Sequence, residues 1–256
     1  ASHLRLPLAI VQVIAYRLAG ALTLLDDMSA RVRHDTIDVP SQQGWLSLFT
    51  GLSAMSRGEL SAAQRSLREA IAHWEGRGGG RMTRTFARSW LAAVNGMAGR
   101  AEDARREVAA IERSPHDAEA GAWDLDRVIA EAWTCAAEGA TSQAISMVRD
   151  AATKELERGR TAWEVVLLQT ATQFGDHTTA PRLAELQAQV QGPRASAAAA
   201  HATALAAGSG DALVRASRQY EALGDRIAAA DAAAQGVVAY QTAGSLGRAM
   251  GASATA

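Results

Sequence analysis

The chain contains little cysteine, lysine or aromatic residue, and each scarcity limits what the protein can do. Its 256 residues include one cysteine, Cys135, so no disulfide can form within the chain. Lys154 is the only lysine and no glycine-rich loop precedes it, so a Walker A motif for nucleotide hydrolysis is absent. Because nothing else in the sequence indicates an oxidising compartment, we expect a cytoplasmic location.

Charge of one sign is not in excess either. The 26 basic and 27 acidic residues give a net charge of −1, so the chain has no general attraction for nucleic acid or for an acidic membrane surface. Residues 4–25 are rich in apolar side chains but include Arg5 and Arg17. Because a charge at the centre of a membrane helix costs about 2.5–3.5 kcal/mol, this stretch predicts a buried helix. We expect neither a membrane partner nor direct contact with nucleic acid.

Alanine is the residue that the chain has in abundance. It fills 59 positions, while aromatic residues make up only 5% of the sequence. Alanine has the highest helix propensity, and strands favour β-branched and aromatic residues instead. The composition therefore predicts an all-α protein.

Glycine recurs along the chain at the spacing of helical-hairpin repeats, about 33 to 41 residues. The recurring positions are Gly20, Gly58, Gly99, Gly139, Gly175 and Gly244, with Asp211 as the missing member. An alanine stands five residues after most of them, as at Ala63 and Ala104, and small residues such as Gly51 and Ala92 stand seven residues before. Small side chains let two antiparallel helices cross closely, and glycine adopts a left-handed turn at little cost.

The segment 51–70 resembles a tetratricopeptide repeat (TPR), and the resemblance covers almost the whole chain. It implies a TPR-like solenoid of about seven antiparallel helix hairpins, formed as a single domain over residues 1–256. The expected helix pairs are 4–19 with 22–33, 43–57 with 59–75, 82–98 with 101–113, 121–138 with 141–158, 161–174 with 178–191, 195–207 with 211–223, and 226–243 with 245–254. The start at Ala1-Ser2-His3, without methionine, leads us to expect a domain excised from a longer protein.

Residues able to perform catalysis or to hold a metal are scattered. The six histidines show no i, i+4 pair and no cysteine partner, so we expect no metal site. Cys135 is interpreted as a small core residue, and the glycines at 78–80 as a connector rather than an anion site. Glu155 and Glu157 are two apart on a predicted helix and face different directions, so both are interpreted as solvated. We expect no catalytic residue and no cofactor.

Six tryptophans stand out because they equal the tyrosines and phenylalanines combined. Five fall in or at the start of first helices of hairpins, which line the concave groove of such a solenoid, whereas Trp74 is interpreted as packing. An indole stacks well on the apolar face of a sugar ring, and polar neighbours then orient the ligand. The predicted ligand-binding residues are Trp45, Arg88, Trp90, Asp126, Arg127, Trp133, Trp163, Glu164 and Gln169. The alternative that the tryptophans fill gaps between alanine-rich helices stays open.

The C-terminal third adds a more specific resemblance. The run from Tyr220 to Asp225, Tyr-Glu-Ala-Leu-Gly-Asp, followed by Ala239-Tyr240, resembles the helical-repeat region of MalT-type regulators of the LuxR family from actinobacteria. In that family the region lies between a nucleotide-binding module and a helix-turn-helix domain. The resemblance implies an inducer-sensing domain of a transcriptional regulator that binds a trehalose- or malto-oligosaccharide-like sugar in the groove. Its further partners would be the other domains of the regulator and a second copy in a homo-oligomer.

A hypothesis from another class is a protein-interaction scaffold that mediates interdomain or oligomer contacts without a small-molecule ligand. A groove that clamps peptide C-termini normally relies on lysine and asparagine, and this chain has only Lys154 and Asn95. Their positions disfavour that form of scaffold and leave the others open.

Overall fold

Helix is the only regular secondary structure in the part of the chain that the structure describes. The computed structural model of the protein describes residues 5–36, 42–75, 81–113 and 124–245, and these hold thirteen α-helices and no β-strand. The helices are α1 (Arg5–Ala19), α2 (Leu22–Thr36), α3 (Gln43–Ser56), α4 (Leu60–Glu75), α5 (Arg81–Met97), α6 (Ala101–Glu112), α7 (Asp124–Ala137), α8 (Thr141–Glu157), α9 (Thr161–Gln173), α10 (Ala180–Gln189), α11 (Pro193–Ala206), α12 (Gly210–Leu223) and α13 (Arg226–Thr242). The prediction of an all-α protein is confirmed.

The predicted helix bounds agree with the observed ones to within three residues for all thirteen helices. The fourteenth predicted helix, 245–254, lies outside the described residues apart from its first position. The agreement comes from the turns, because every recurrent glycine identified in the sequence has a positive φ, the region in which only glycine is unstrained. These glycines are Gly20, Gly58, Gly99, Gly139, Gly175 and Gly244.

The turn between α11 and α12 differs from its prediction. The register predicts Asp211 at the turn, but the residue with positive φ is Gly208, and Asp211 lies in the first turn of α12. Helix α12 begins two residues after Gly208, as α4, α6 and α8 begin two residues after their own turn glycines. The prediction of the turn position was wrong by three residues. Two glycines, Gly208 and Gly210, lie close together here, and the sequence alone does not show which of them has the positive φ. The residue seven before this turn is therefore His201, which is fully buried.

The described residues form two compact units. Unit 1 contains the residues up to Val13 and those from Leu24 to Met147, and unit 2 contains Ile14–Thr23 and the residues from Val148 onward. The turn at Gly20, with the adjoining ends of α1 and α2, therefore belongs to unit 2. The single-domain organisation stays a prediction.

Helices in unit 1 contact both their hairpin partner and the next pair. Helix α3 packs on α4, α4 on α5, α5 on α6 and α6 on α7, and α5 also contacts α7 directly. The last contact depends on Gly96, where a Cβ would lie 2.6 Å from the carbonyl oxygen of Trp133. Ala63 and Ala104 are completely buried, in agreement with their predicted place where two helices cross.

In unit 2, α9 contacts α10, α11 and α13, and α12 contacts both α11 and α13. The ring of Tyr220 on α12 is completely buried and packs against Ala197, Ala228 and Ala232. The small alanine side chains leave room for this ring and let the helices come close. Helix α9, the first helix of its pair, thus contacts the first helices of the next two pairs, α11 and α13.

The burial of Glu155, near the end of α8, contradicts the interpretation from the sequence. The i, i+2 spacing predicts that both Glu155 and Glu157 are solvated, but Glu155 is 0% exposed and only Glu157 is exposed. The buried carboxylate accepts hydrogen bonds from Arg158 (Nη1, 3.0 Å) and Arg160 (Nη2, 2.6 Å). Two arginines shortly after the glutamate compensate its charge, so the carboxylate is tolerated inside.

We expect Glu155→Gln to destabilise unit 2 by about 1 kcal/mol, because a neutral amide replaces a buried carboxylate that binds two guanidinium groups. The measurement is urea unfolding followed by circular dichroism. The matched control is Glu157→Gln, an exposed residue of the same helix, which should leave the unfolding free energy unchanged. Equal effects of the two substitutions would show that the ion pairs around Glu155 contribute nothing.

Candidate functional site

The nine residues predicted to bind a ligand lie in both units. Those in unit 1 are Trp45, Arg88, Trp90, Asp126, Arg127 and Trp133, and those in unit 2 are Trp163, Glu164 and Gln169. The members in each unit differ in burial and in the partners that their polar groups already have.

The tryptophans divide into buried and partly exposed residues. Trp90 is 3% exposed and packs edge-on against Phe86, with ring centroids 6.4 Å apart, so its indole is a core element. Trp45 is half-buried and contacts Trp74 edge-on at 5.5 Å. Trp74 itself is buried, which confirms its interpretation as packing. Trp133 and Trp163 are half-buried and keep part of the indole accessible, while the sixth tryptophan, at position 123, lies outside the described residues.

Arg88 lines a surface cleft of about 240 Å³ in unit 1, together with Glu75, Arg84, Thr85, Ala110 and Ile111. Its guanidinium donates to Glu75 and to Glu107, each at 2.6 Å. Two carboxylates therefore neutralise Arg88, and the cleft offers no uncompensated charge at that residue. Trp90 does not line this cleft.

The remaining charged members of the predicted set are also engaged. Asp126 is buried and 2% exposed, and Arg127 forms an ion pair with Glu131 one turn along α7 at 2.6 Å. Glu164 on α9 binds the guanidinium of Arg182 through both carboxylate oxygens, at 2.6 and 2.9 Å. This forked ion pair joins α9 to α10 and raises the pKa of Arg182 above its ordinary value.

Gln169 is the predicted residue that leads to a larger polar cluster. In unit 2 it lies among hydrogen-bonding side chains from α9, α11 and α13 and from the residue that caps α13. We call this set the polar cluster, and it comprises Gln169, Gln173, Arg194, His201, Asp225, Asp231 and Gln235. Only Gln169 among these is in the predicted set.

At one end of the polar cluster, Arg194 Nη1 donates to Gln169 Oε1 at 2.8 Å and to Asp225 Oδ2 at 3.2 Å. Gln169 Nε2 donates to the same Asp225 oxygen at 3.3 Å. Asp225 also caps α13, because its Oδ1 accepts from the backbone N–H of Ala228 at 3.2 Å. The charge of Asp225 is thus compensated by one buried guanidinium and one helix terminus.

In the middle of the polar cluster, Gln173 and Asp231 face each other from α9 and α13. Gln173 Nε2 donates to Asp231 Oδ2 at 2.7 Å. Burial raises the pKa of Asp231 to about 7; the Gln173 hydrogen bond opposes this shift and the negative charge of Asp225 adds to it. Asp231 Oδ1 and Gln173 Oε1 accept no hydrogen bond from the described residues, and both side chains are partly exposed.

His201 and Gln235 close the other end of the polar cluster. Gln235 Nε2 donates to the backbone oxygens of Thr172 and Gln173 at 2.9 and 3.0 Å, which leaves Gln235 Oε1 to accept from His201 Nε2 at 2.7 Å. Burial lowers the pKa of His201, so the ring is neutral near pH 7. The cluster therefore combines two carboxyl groups, one guanidinium and neutral amides.

The sequence indicates Gln169 and Gln173 as polar residues of one helix, of which only Gln169 is in the predicted set, and it does not identify the other residues of the polar cluster, although one further signal is present. Gln169 and Gln173 are four residues apart on α9, and Asp231 and Gln235 are four apart on α13. Residues at that spacing share a helix face. Two such polar pairs on first helices of different hairpins indicate facing polar surfaces in an otherwise alanine-rich region.

The described residues define an all-α protein, and they contain no group of three or more histidine, cysteine, aspartate or glutamate side chains placed to hold a metal ion. None of their helices combines the length and the apolar character that a membrane crossing requires. Comparisons of the chain with protein-family models, with curated proteins and with solved structures give no match.

Proposed function

We propose that the chain is a ligand-sensing domain of a bacterial transcriptional regulator and that it binds a small neutral sugar, trehalose-like or malto-oligosaccharide-like, at the polar cluster of unit 2. The observation that carries the proposal is the pair Gln173 and Asp231. Each keeps one acceptor oxygen without a partner in the described residues and remains partly exposed. Adjacent acceptors on two helices suit the vicinal hydroxyls of a sugar.

The charges of the polar cluster favour a neutral ligand over an anion. The cluster contains two carboxyl groups, Asp225 and Asp231, and a single guanidinium, that of Arg194, which already donates to Asp225. Because the pKa of Asp231 is about 7, this carboxyl is about half ionised at neutral pH. A phosphate or carboxylate ligand would therefore meet partial like charge and no free cation, whereas a hydroxyl can donate to the carboxylate or accept from the protonated carboxyl. His201 is neutral and adds no cation.

We further propose that the hairpins form the TPR-like solenoid and that the sugar acts on its curvature. Support comes from contacts between first helices of successive pairs, α3 with α5, α5 with α7 and α9 with α11. A sugar bound to Gln173 on α9 and to Asp231 on α13 would bridge separate hairpins. It would favour the curvature in which those two helices are closest, because a ligand shifts an equilibrium only by its differential affinity.

The test is isothermal titration of the chain with trehalose, maltose and maltotriose. Gln173→Ala should weaken binding of the active sugar by about tenfold, because it removes one acceptor and the donor that holds Asp231. The matched control is Gln187→Ala, an exposed amide of the same unit, which should bind as the unchanged chain does. Absence of heat with all three sugars at millimolar concentration contradicts the sugar hypothesis. Equal binding by both variants contradicts the assignment to the polar cluster.

The scaffold function remains the second candidate because α1 carries an exposed apolar face. Leu8 and Val11 lie three residues apart on this helix, with 58% and 62% of their surfaces exposed. Apolar residues that share an exposed face are a feature of protein contact surfaces. If Leu8→Glu with Val11→Glu abolishes self-association in light scattering while sugar binding is absent, the scaffold hypothesis is favoured.

A further inference from the structure

The turn between α1 and α2 docks closely onto the N-terminal end of α11 within unit 2. A Cβ at Gly20, whose φ is +77°, would lie 2.8 Å from Cβ of Arg194. On the other side, a Cβ at Gly192 would lie 2.8 Å from the carbonyl oxygen of Ala19. Glycine at both positions permits this close approach, so the docked turn is a specific feature of the fold.

Arg194 is shared between this turn and the polar cluster. Its Nε donates to the carbonyl oxygen of Arg17 at 3.0 Å, in the last turn of α1, while its Nη1 donates to Gln169 and to Asp225. The Arg194 side chain is only 11% exposed, so these contacts replace most of its hydration. A cation that meets the last carbonyls of a helix is also favoured by the helix dipole.

The acceptors of Arg194 in the polar cluster come from two helices. Gln169 belongs to α9, one turn before Gln173, and Asp225 immediately precedes α13, which carries Asp231. Any change that fixes α9 against α13 therefore also fixes the acceptor pair that holds the Arg194 guanidinium. Arg194 Nε binds the carbonyl oxygen of Arg17 in the turn. The hydrogen bond to the turn therefore depends on whether Gln169 and Asp225 hold the same guanidinium in place.

We infer that Arg194 couples the polar cluster to the docking of the α1–α2 turn, so that a ligand held between α9 and α13 stabilises the docked turn. The ligand part rests on the proposed function, whereas the coupling through Arg194 does not. The coupling is reciprocal: if ligand binding at the polar cluster stabilises the docked turn, docking of the turn must raise the affinity for the ligand by the same factor. Within unit 2, Arg194 thus connects the polar cluster to the α1–α2 turn.

The experiment measures hydrogen exchange of the Gly20 and Ala21 amides, which close the end of α1 by donating to Arg17 and Tyr16. Asp225→Asn alters only the polar cluster and keeps an oxygen that can cap α13. It should nevertheless speed exchange of these two amides about tenfold, through the weakened Arg194 contact. Arg194→Met should do so at least as strongly. The control Asp150→Asn, an exposed carboxylate on α8 in the same unit, should change nothing.

These outcomes separate the inference from the proposed function. Unchanged exchange at Gly20 and Ala21 in a folded Asp225→Asn chain overturns the coupling, whatever the sugar titrations give. If a sugar binds, it should slow exchange of the turn several-fold in the unchanged chain and not in Arg194→Met, whose affinity should fall by about fivefold. If no sugar binds, the proposed function fails and the ligand-free comparison still decides the coupling.

Discussion

We expect Gly96→Ala to destabilise unit 1 by about 2 kcal/mol, because the added methyl group has no room at the crossing of α5 and α7. Gly96 is buried within α5, and a Cβ there would lie 2.6 Å from the oxygen and 2.7 Å from the carbonyl carbon of Trp133. These are backbone atoms of α7, so the clash is relieved only by moving one helix away from the other. Alanine gains about 1 kcal/mol in helix propensity, and the clash outweighs that gain.

Gly236→Ala is the matched control because Gly236 is also a buried glycine inside a helix, α13. A Cβ at this position would lie 3.4 Å from Cβ of Leu213, and its other nearest atoms are farther away. The methyl group fits with little movement, so helix propensity should stabilise the chain by about 0.5–1 kcal/mol. Urea unfolding followed by circular dichroism measures both variants. If Gly96→Ala stabilises the chain as Gly236→Ala does, the α5–α7 crossing tolerates a Cβ and the expected clash is contradicted.

The helices could be predicted from sequence because their boundaries depend on local chemistry. Glycines with positive φ end the helices at a regular interval, and alanine fills the segments between them. Buried alanines such as Ala63, Ala104 and Ala144 occupy the predicted crossing positions. These signals are properties of single residues and their spacing, so no knowledge of distant contacts was needed.

The polar cluster could not be predicted to the same extent because it depends on contacts between distant residues. Gln169 and Asp225 are 56 positions apart, and Arg17 and Arg194 are 177 apart. Local spacing does not show which helix faces meet, and the misplaced turn at Gly208 also hid His201. Trp90 is predicted to line the groove but packs into the core, because an aromatic residue on a first helix can be buried when its neighbours are small. The sequence does not distinguish these two positions.

The charge of Asp231 is expected to cost stability above neutral pH, so Asp231→Asn should stabilise the chain at pH 8 and have little effect at pH 4. Burial raises the pKa of this carboxyl to about 7 in the folded chain, from an ordinary value of 3.8. The folded chain therefore holds the proton more tightly than the unfolded chain does. Stability from this group is fully present below pH 4 and is lost as the pH rises through 7.

We expect the difference between Asp231→Asn and the unchanged chain to grow between pH 4 and pH 7 and then to level at no more than about 4 kcal/mol, the free energy that corresponds to a pKa shift from 3.8 to about 7. Asparagine keeps an oxygen that accepts from Gln173 and removes the repulsion from Asp225, while Arg194 continues to hold Asp225. Urea unfolding at each pH unit from 4 to 8 measures the difference. Asp150→Asn, on the exposed face of α8, should run parallel to the unchanged chain. A parallel profile for Asp231→Asn as well would mean that this carboxyl ionises freely when folded. It would then be an ordinary surface acceptor and not part of a desolvated site.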